Sequence, residues 1–340
     1  MIEEAIAKLT KKEDLDPALM RQVMEEIMTG KADTQLIVSF LNASNEKGQS
    51  VDELIAAAEV MRAHVTRISV KEGTVLDTCG TGGDKKGTFN ISTVVAFVAA
   101  AAGITVAKHG NRSVSSICGS ADILEALGVN INLGKERIEE CLERAGIAFL
   151  FAPNLHPAMK YAMPARKQIG KRTMFNILGP LTNPAGATHQ LLGVFDAYWT
   201  KVLAEVLLGL GTKHALVVHG QDGLDEITTT SKTYIAEVKA GKVSVYQIAP
   251  EDFGIPRSRP QDLSGGDAGA CAGIFLDILK GKAGPKRDIV VLNAAAAIYA
   301  ADKAGSIKEG IKLAARCIDS GEALKKFEIF KSCSNQPWPK

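Results

Sequence analysis

Aromatic residues are scarce: Phe, Tyr and Trp make up 5% of the 340 residues, too few for the stacking platforms on which single-stranded nucleic acid is held. Neither sign of charge dominates. Forty Lys and Arg face 38 Asp and Glu, a net charge of +2, which argues against a wide nucleic-acid footprint but leaves room for one small cationic pocket. The six cysteines (Cys79, Cys118, Cys141, Cys271, Cys317 and Cys333) form no Cys-x-x-Cys pair. A chain this long needs no disulfide staples, so scattered thiols fit a reducing compartment. The longest uncharged apolar stretch, Val94–Ala107, is shorter than the ~20 residues of a membrane span. The first residues, Met1–Lys8, are acidic and amphipathic and lack the pattern of a signal peptide. These absences point to a soluble cytoplasmic protein that engages neither membrane nor nucleic acid.

What is present is ordinary globular composition, 46% hydrophobic and 23% charged, in a chain long enough for about two domains of ~100–200 residues. Residues 1–70 carry only helical signals and predict four short helices. Apolar residues recur at three- and four-residue steps (Leu19, Val23, Ile27; Leu36, Ile37, Phe40, Leu41). Asp16-Pro17 reads as an N-cap and first helical position, and Ser50 with Glu53 as a capping box. After Gly73 strands and helices alternate. Strands are expected over 74–77, 104–107, 148–151, 215–218, 233–238 and 243–248. Helices are expected over 91–102, 121–127, 136–145, 201–210, 269–279, 288–300 and 307–318, followed by a frayed tail at 332–340. Such alternation means an α/β domain with a mostly parallel sheet. The Pro-, Gly- and base-rich segment 153–184 is expected to leave the sheet and pack beside the first helices. The domains expected are therefore 1–70, joined by helices from about 157–187, and 71–340.

Four segments carry chemistry. Asp77-Thr-Cys-Gly-Thr-Gly-Gly-Asp84 ends a strand and precedes Asn90-Ile-Ser-Thr93 at a helix start. Glycines that turn amide N–H groups outward, beside a helix N-terminus with Asn90 or Ser92 as cap, suit a phosphate or pyrophosphate. A Walker loop is excluded because Lys86 precedes Gly87, and a dinucleotide fingerprint because Lys85 replaces its third glycine. A plain βα turn is the alternative. Lys108-His-Gly-Asn-Arg-Ser-Val-Ser-Ser116 follows the next strand and sets cations, an amide and hydroxyls where α/β sheets bind ligands; a solvated polar loop is the alternative. His219 through Glu226 contains the adjacent carboxylates Asp225 and Glu226, which suit Mg²⁺ or, equally, a solvated turn. In Arg166–Pro184, Arg166 can clamp a carboxylate, whereas Met174, Phe175, Ile177 and Leu178 read as packing. His109 and His156 lie in or near these loops; His64, His189, His214 and His219 read as structural. No Ser-His-Asp set is evident.

Taken together, Gly-Thr-Gly-Gly-Asp (80–84), Asn-Ile-Ser-Thr (90–93), Lys-His-Gly-Asn-Arg (108–112), Gly-Ser-Ala-Asp-Ile-Leu-Glu-Ala-Leu-Gly (119–128), Phe-Asn-Ile-Leu-Gly-Pro-Leu-Thr-Asn-Pro (175–184) and Gly-Leu-Asp-Glu (223–226) resemble the anthranilate phosphoribosyltransferases, in order and spacing over nearly the whole chain. Lys85 departs from the pattern, standing where many members have glycine. The resemblance implies a glycosyltransferase of tryptophan synthesis with a small N-terminal helical domain and a larger α/β domain, dimeric through the helical domain. It implies that 5-phosphoribosyl 1-diphosphate is held by Gly80, Gly83, Asp84, Thr88, Asn90, Ile91, Ser92, Thr93, Lys108, His109, Gly110, Asn111, Arg112, Ser113, Val114, Ser115, Ser116 and Ser120. Mg²⁺, as two ions, would bind through Ser92, Asp225 and Glu226. Anthranilate would meet Gly80, Asn111 and Arg166, with His109, His156 and the Gly179-Pro180 turn on its approach. Lys108, Asp225 and Glu226 would act catalytically by stabilising the departing diphosphate. Two other readings are a pyrimidine nucleoside phosphorylase of the same fold and a non-catalytic relative that binds nucleic acid.

Overall fold

The computed structural model describes residues 1–71, 73–112 and 118–336. Four helices open the chain: α1 (Ile2–Thr10), α2 (Pro17–Met28), α3 (Thr34–Lys47) and α4 (Val51–Ala63). Asp16 caps α2 by accepting from the Ala18 N–H, with Pro17 at the first helical position. The Ser50–Glu53 capping box starts α4. Their apolar faces meet one another and bury Met20, Met24, Phe40 and Leu54 completely, as periodicity of this kind requires.

The rest is built on one seven-stranded sheet of order β3-β2-β1-β4-β5-β6-β7. Its strands are β1 (Val75–Gly80), β2 (Thr105–Gly110), β3 (Ile147–Phe151), β4 (His189–Gly193), β5 (His214–Gly220), β6 (Thr233–Lys239) and β7 (Lys242–Ile248). The first five run parallel, and β6 and β7 add an antiparallel edge. Side chains alternate across the sheet. Leu191, Leu216, Val218 and Ile235 join one core, which includes α5 (Ile91–Ala101), α7 (Lys135–Ala145), α12 (Ala268–Leu279), α13 (Pro285–Ala300), α14 (Ile307–Asp319) and α15 (Glu322–Asn335). Leu192, Val194, Ala215, Val217, Ala236 and Val238 join the other core, with α1–α4, α9 (Met159–Ile169), α10 (Met174–Leu178) and α11 (Tyr198–Gly209). The opening helices therefore share a continuous core with one face of the sheet. Two short helices, α6 (Ser120–Ala126) and α8 (Ala152–Leu155), follow β2 and β3.

Three expectations change. The strands holding the site residues are longer than the apolar runs that announce them. β1 reaches Gly80 because β4 pairs with it from Leu76↔His189 to Gly80↔Gly193. β2 reaches Gly110 because β3 pairs with Lys108, His109 and Gly110. Gly80, Lys108, His109 and Gly110 thus lie in strands, not in the loops beyond them. β4 itself, His-Gln-Leu-Leu-Gly, has no β-branched residue and was not expected. The tail is helical through Asn335, since Phe327, Phe330 and Cys333 are buried.

Candidate active site

The C-terminal ends of β1 and β2 bring the first two segments together. Asp77 is fully buried inside β1. Its Oδ1 accepts from the His109 N–H at 3.0 Å and its Oδ2 from Asn183 Nδ2 at 2.8 Å. Asn183 also donates to the Ala107 carbonyl at 2.8 Å, so one carboxylate and one amide lock β1, β2 and the 179–184 turn. Burial pushes the Asp77 carboxyl up to about 6.

Lys108 is 3% exposed. Its ammonium donates to the Thr78 carbonyl and, at 3.2 Å, to Ser92 Oγ. Burial lowers its pKa, opposed by the charges of Asp77, Cys79 and Glu226. The cation therefore lies across the end of β1, at the N-terminus of α5, where the helix dipole adds positive potential. Asn90 is the N-cap residue of α5 but does not cap with its side chain; its Nδ2 donates instead to the Cys118 carbonyl at 3.0 Å. Asn90 Oδ1, Thr93 Oγ1 and Asp84 Oδ2 are buried with no hydrogen-bond partner. Buried polar atoms are seldom left so; the two acceptor oxygens would suit a cation or water, and the Thr93 hydroxyl could donate to an anion.

The loop after β5 supplies the carboxylates. Asp225 Oδ2 accepts from the Gly82 N–H at 3.1 Å, and Glu226 Oε1 from the Ser92 N–H at 3.1 Å. Two glycines let Asp225 come this close. A Cβ on Gly80 would stand 2.9 Å from Asp225 Oδ2, and one on Gly193 would stand 1.6 Å from the Asp225 carbonyl oxygen. Burial, then the nearby Asp84, lifts Asp225 to about 7, and burial with Asp225 beside it lifts Glu226 well above the usual range. Carboxylates crowded together out of water are what a divalent cation would relieve. Among the described residues no group of three or more His, Cys, Asp or Glu forms a ready-made metal cage. Asp225 and Glu226 are the kind of donor Mg²⁺ uses, since it takes one or two protein carboxylates and fills its shell with water and phosphate oxygens.

The remaining expected residues divide. His109 Nε2 lies 3.0 Å from His156 Nε2. Burial holds their pKa values down, to about 3 and about 4. With both rings neutral, one Nε2 donates its hydrogen and the other accepts it. Thr88 forms a β-bridge with Ser264. Ser120 Oγ donates to the Asn111 carbonyl at 3.2 Å. Arg112 turns away from the loops: its guanidinium pairs with Asp122 and Glu125 on α6. Arg166 lies over the Phe175 ring at 5.7 Å, and among the described residues no carboxylate pairs with it. Ser113, Val114, Ser115 and Ser116 fall outside the described residues.

Several neighbours went unread in the sequence. Arg172, within the quoted 166–184 segment, donates to the Gly83 carbonyl and stacks 3.8 Å from the Phe195 ring centroid. Its own carbonyl accepts from Asn45 of α3 at 2.8 Å, so the first helices reach the Gly-rich loop through one residue. A cavity of about 400 Å³ opens beside it, lined by Asn45, Gln49, Arg172, Phe195 and Trp199. Gly265 donates to the Gly87 carbonyl at 2.9 Å and backs the loop from outside. Only their distance along the chain hid these partners; no motif marks them.

Known proteins share this two-part architecture. The model described as "Glycosyl transferase family, a/b domain" matches residues 72–324, and "Glycosyl transferase family, helical bundle domain" matches 3–65. The anthranilate phosphoribosyltransferase of Alkaliphilus metalliredigens is 54% identical over 326 residues, 96% of each chain. That of Acetivibrio thermocellus is 51% identical over 98% of this chain and 97% of its own. Among solved structures, the anthranilate phosphoribosyltransferase of Thermus thermophilus superposes with a TM-score of 0.92 at 41% identity, covering 98% of this chain and 99% of the other. The Saccharomyces cerevisiae enzyme, solved in complex with PRPP and Mg, gives 0.89 at 26% identity over 98% and 97%. With identities above half along almost the entire length, on a shared two-part architecture, the chain belongs to the anthranilate phosphoribosyltransferase family.

Proposed function

We propose that this protein transfers the phosphoribosyl group of 5-phosphoribosyl 1-diphosphate to the amine of anthranilate, releasing pyrophosphate. The observation that carries the reading is the meeting, at the ends of β1 and β2, of a buried ammonium (Lys108), the N-terminus of α5 and the carboxylates of Asp225 and Glu226. Such a site attracts a diphosphate and a divalent cation together. Support comes from relatives with this name and from the Saccharomyces cerevisiae enzyme solved with PRPP and Mg and, separately, with 4-fluoroanthranilate.

In the reaction the amine lone pair forms the bond to C1 of the ribose, the bond from C1 to the diphosphate oxygen breaks with its electron pair, and the new ammonium loses a proton. An aromatic amine is neutral near pH 7, so no strong base need precede attack. The residues' work is to bind, align and take up the charge that develops on the leaving group. Lys108 and the amides of Gly83 and of the α5 N-terminus would face the diphosphate, with Asp84, Thr88, Asn90, Thr93, Asn111 and Ser120 around it. Ser92, Asp225 and Glu226 would hold Mg²⁺, as two ions; when bound, Mg²⁺ neutralises the diphosphate oxygens. Arg166, with no carboxylate partner among the described residues, would clamp that of anthranilate beside Asn111 and Gly80. Arg112 would need to leave Asp122 and Glu125 to reach a phosphate. We read residues 1–70 with the helices of 157–187 as one domain through which two copies pair, and 71–340 as the other, in a cytoplasmic enzyme. The test is the loss of anthranilate fluorescence on adding phosphoribosyl diphosphate. Loss that requires Mg²⁺ is expected; no loss with both present would overturn the reading.

A further inference from the structure

Asn293 is the polar exception in the buried stretch of α13. Residues 289–298 of that helix are all buried, and all but Asn293 are apolar. A carboxamide with no exposed surface costs free energy unless every polar atom is matched, and here it is. Asn293 Oδ1 accepts from the Ile227 N–H at 2.9 Å, while Nδ2 donates to the Ile227 carbonyl at 2.7 Å and to the Ile289 carbonyl at 2.8 Å. The side chain thus pairs with both backbone groups of Ile227, as a neighbouring strand would. Ile227 directly follows Glu226, whose carboxylate sits on the Ser92 N–H.

The other side of the same loop is held by a separate set. Asp222 Oδ2 accepts from the hydroxyls of Thr228 (2.7 Å) and Thr230, and its Oδ1 accepts from the Leu224 N–H at 3.2 Å. That network folds the loop on itself but does not tie it to a helix. Asn293 does: it is rigid through α13, which packs on α5 and β5. The Ser92 amide that Glu226 meets lies in the first turn of α5. The two ends of the Glu226 contact are therefore referenced to one packed unit.

We infer that Asn293 is a positioning residue for the Asp225–Glu226 pair, presetting the carboxylates for a divalent cation before the cation arrives. The inference rests on the proposal that this pair holds Mg²⁺. Residues behind the ligands of a metal typically change affinity by about 10–100-fold when removed. Asn293→Ala should accordingly weaken Mn²⁺ binding, read by electron paramagnetic resonance in the presence of phosphoribosyl diphosphate, by about 10-fold or more. Asn293→Asp keeps the acceptor for the Ile227 N–H but turns a second oxygen on the Ile227 and Ile289 carbonyls, and should weaken it at least as much. Ala296→Gly, in the same buried helix, should lower the melting temperature and leave Mn²⁺ binding unchanged. If Asn293→Ala and Asn293→Asp bind Mn²⁺ as the wild type does while Glu226→Gln does not, Asn293 is merely structural and the inference fails. If Glu226→Gln also binds normally, it is the metal reading that fails. One measurement needs no variant: in the metal-free wild type, the Ile227 amide should exchange with solvent deuterium as slowly as the core of α13. Exchange as fast as at exposed turns would show the loop is not preset and would overturn the inference even where the variants do not fold.

Discussion

Lys85 adopts φ +58°, a left-handed conformation that costs a residue with a Cβ about 1–2 kcal/mol and glycine little. Glycine, which the family resemblance implies at this position, would adopt that conformation without the cost. Lys85→Gly should leave the melting temperature unchanged or slightly raised, by calorimetry, where glycine in an ordinary loop would lower it; a clear loss would contradict the strain. Arg166 makes the opposite case, a cation whose environment supplies no counter-charge among the described residues. Arg166→Ala should raise the KM for anthranilate by about 10-fold or more, the scale of a lost charge-assisted hydrogen bond, with the KM for phosphoribosyl diphosphate little changed. Equal shifts in both constants would remove it from the acceptor side. Residues of this kind were legible in the sequence because their chemistry is carried by short runs. Asp77 was legible only as the start of a motif, since the Asn183 that holds it stands 106 residues away. The pairing of Arg112 with Asp122 and Glu125 was not legible, although both acids lie in the quoted 119–128 motif, because nothing in a linear motif says which side chains meet.

Among elements, most helices were found because caps and apolar spacing mark them, as at Asp16-Pro17 and Ser50–Glu53, but α15, which opens on Gly321 with no side-chain cap, was missed. Strand ends were not. Where β1 and β2 pass from apolar to functional residues, only pairing with β4 and β3 keeps them extended, and pairing between distant segments leaves no local pattern. β4 shows the consequence, because its last residue determines whether Asp225 can approach. Gly193→Ala would put a methyl group into the Asp225 carbonyl, so the loop after β5 must move. Activity should fall by about 100-fold or more, in keeping with an ångström-scale displacement of catalytic groups, while circular dichroism stays close to wild type. Near-normal turnover would mean the loop tolerates a shift and the close approach is incidental.

At the scale of the whole molecule, the buried pair His109–His156 couples the site to stability. Their folded pKa values, about 3 and about 4, lie below the ordinary 6.5. The unfolded chain therefore takes up more protons as pH falls, and stability drops progressively from about pH 6.5 toward pH 4. Denaturant midpoints across that range should fall for the wild type and fall less steeply for His156→Phe; parallel curves would exclude the pair as the cause. The same compact arrangement, two cores divided by one sheet with the opening helices joined to the β4–β5 face, sets Lys108, the α5 N-terminus and the Asp225–Glu226 pair at one place. Calorimetric titration of phosphoribosyl diphosphate, with and without Mg²⁺, tests that arrangement most directly. Mg²⁺ should tighten binding by about 10-fold or more in the wild type, and Asp225→Asn with Glu226→Gln should abolish that gain while binding without metal persists. Binding indifferent to Mg²⁺, or a gain that survives loss of both carboxylates, would contradict the account.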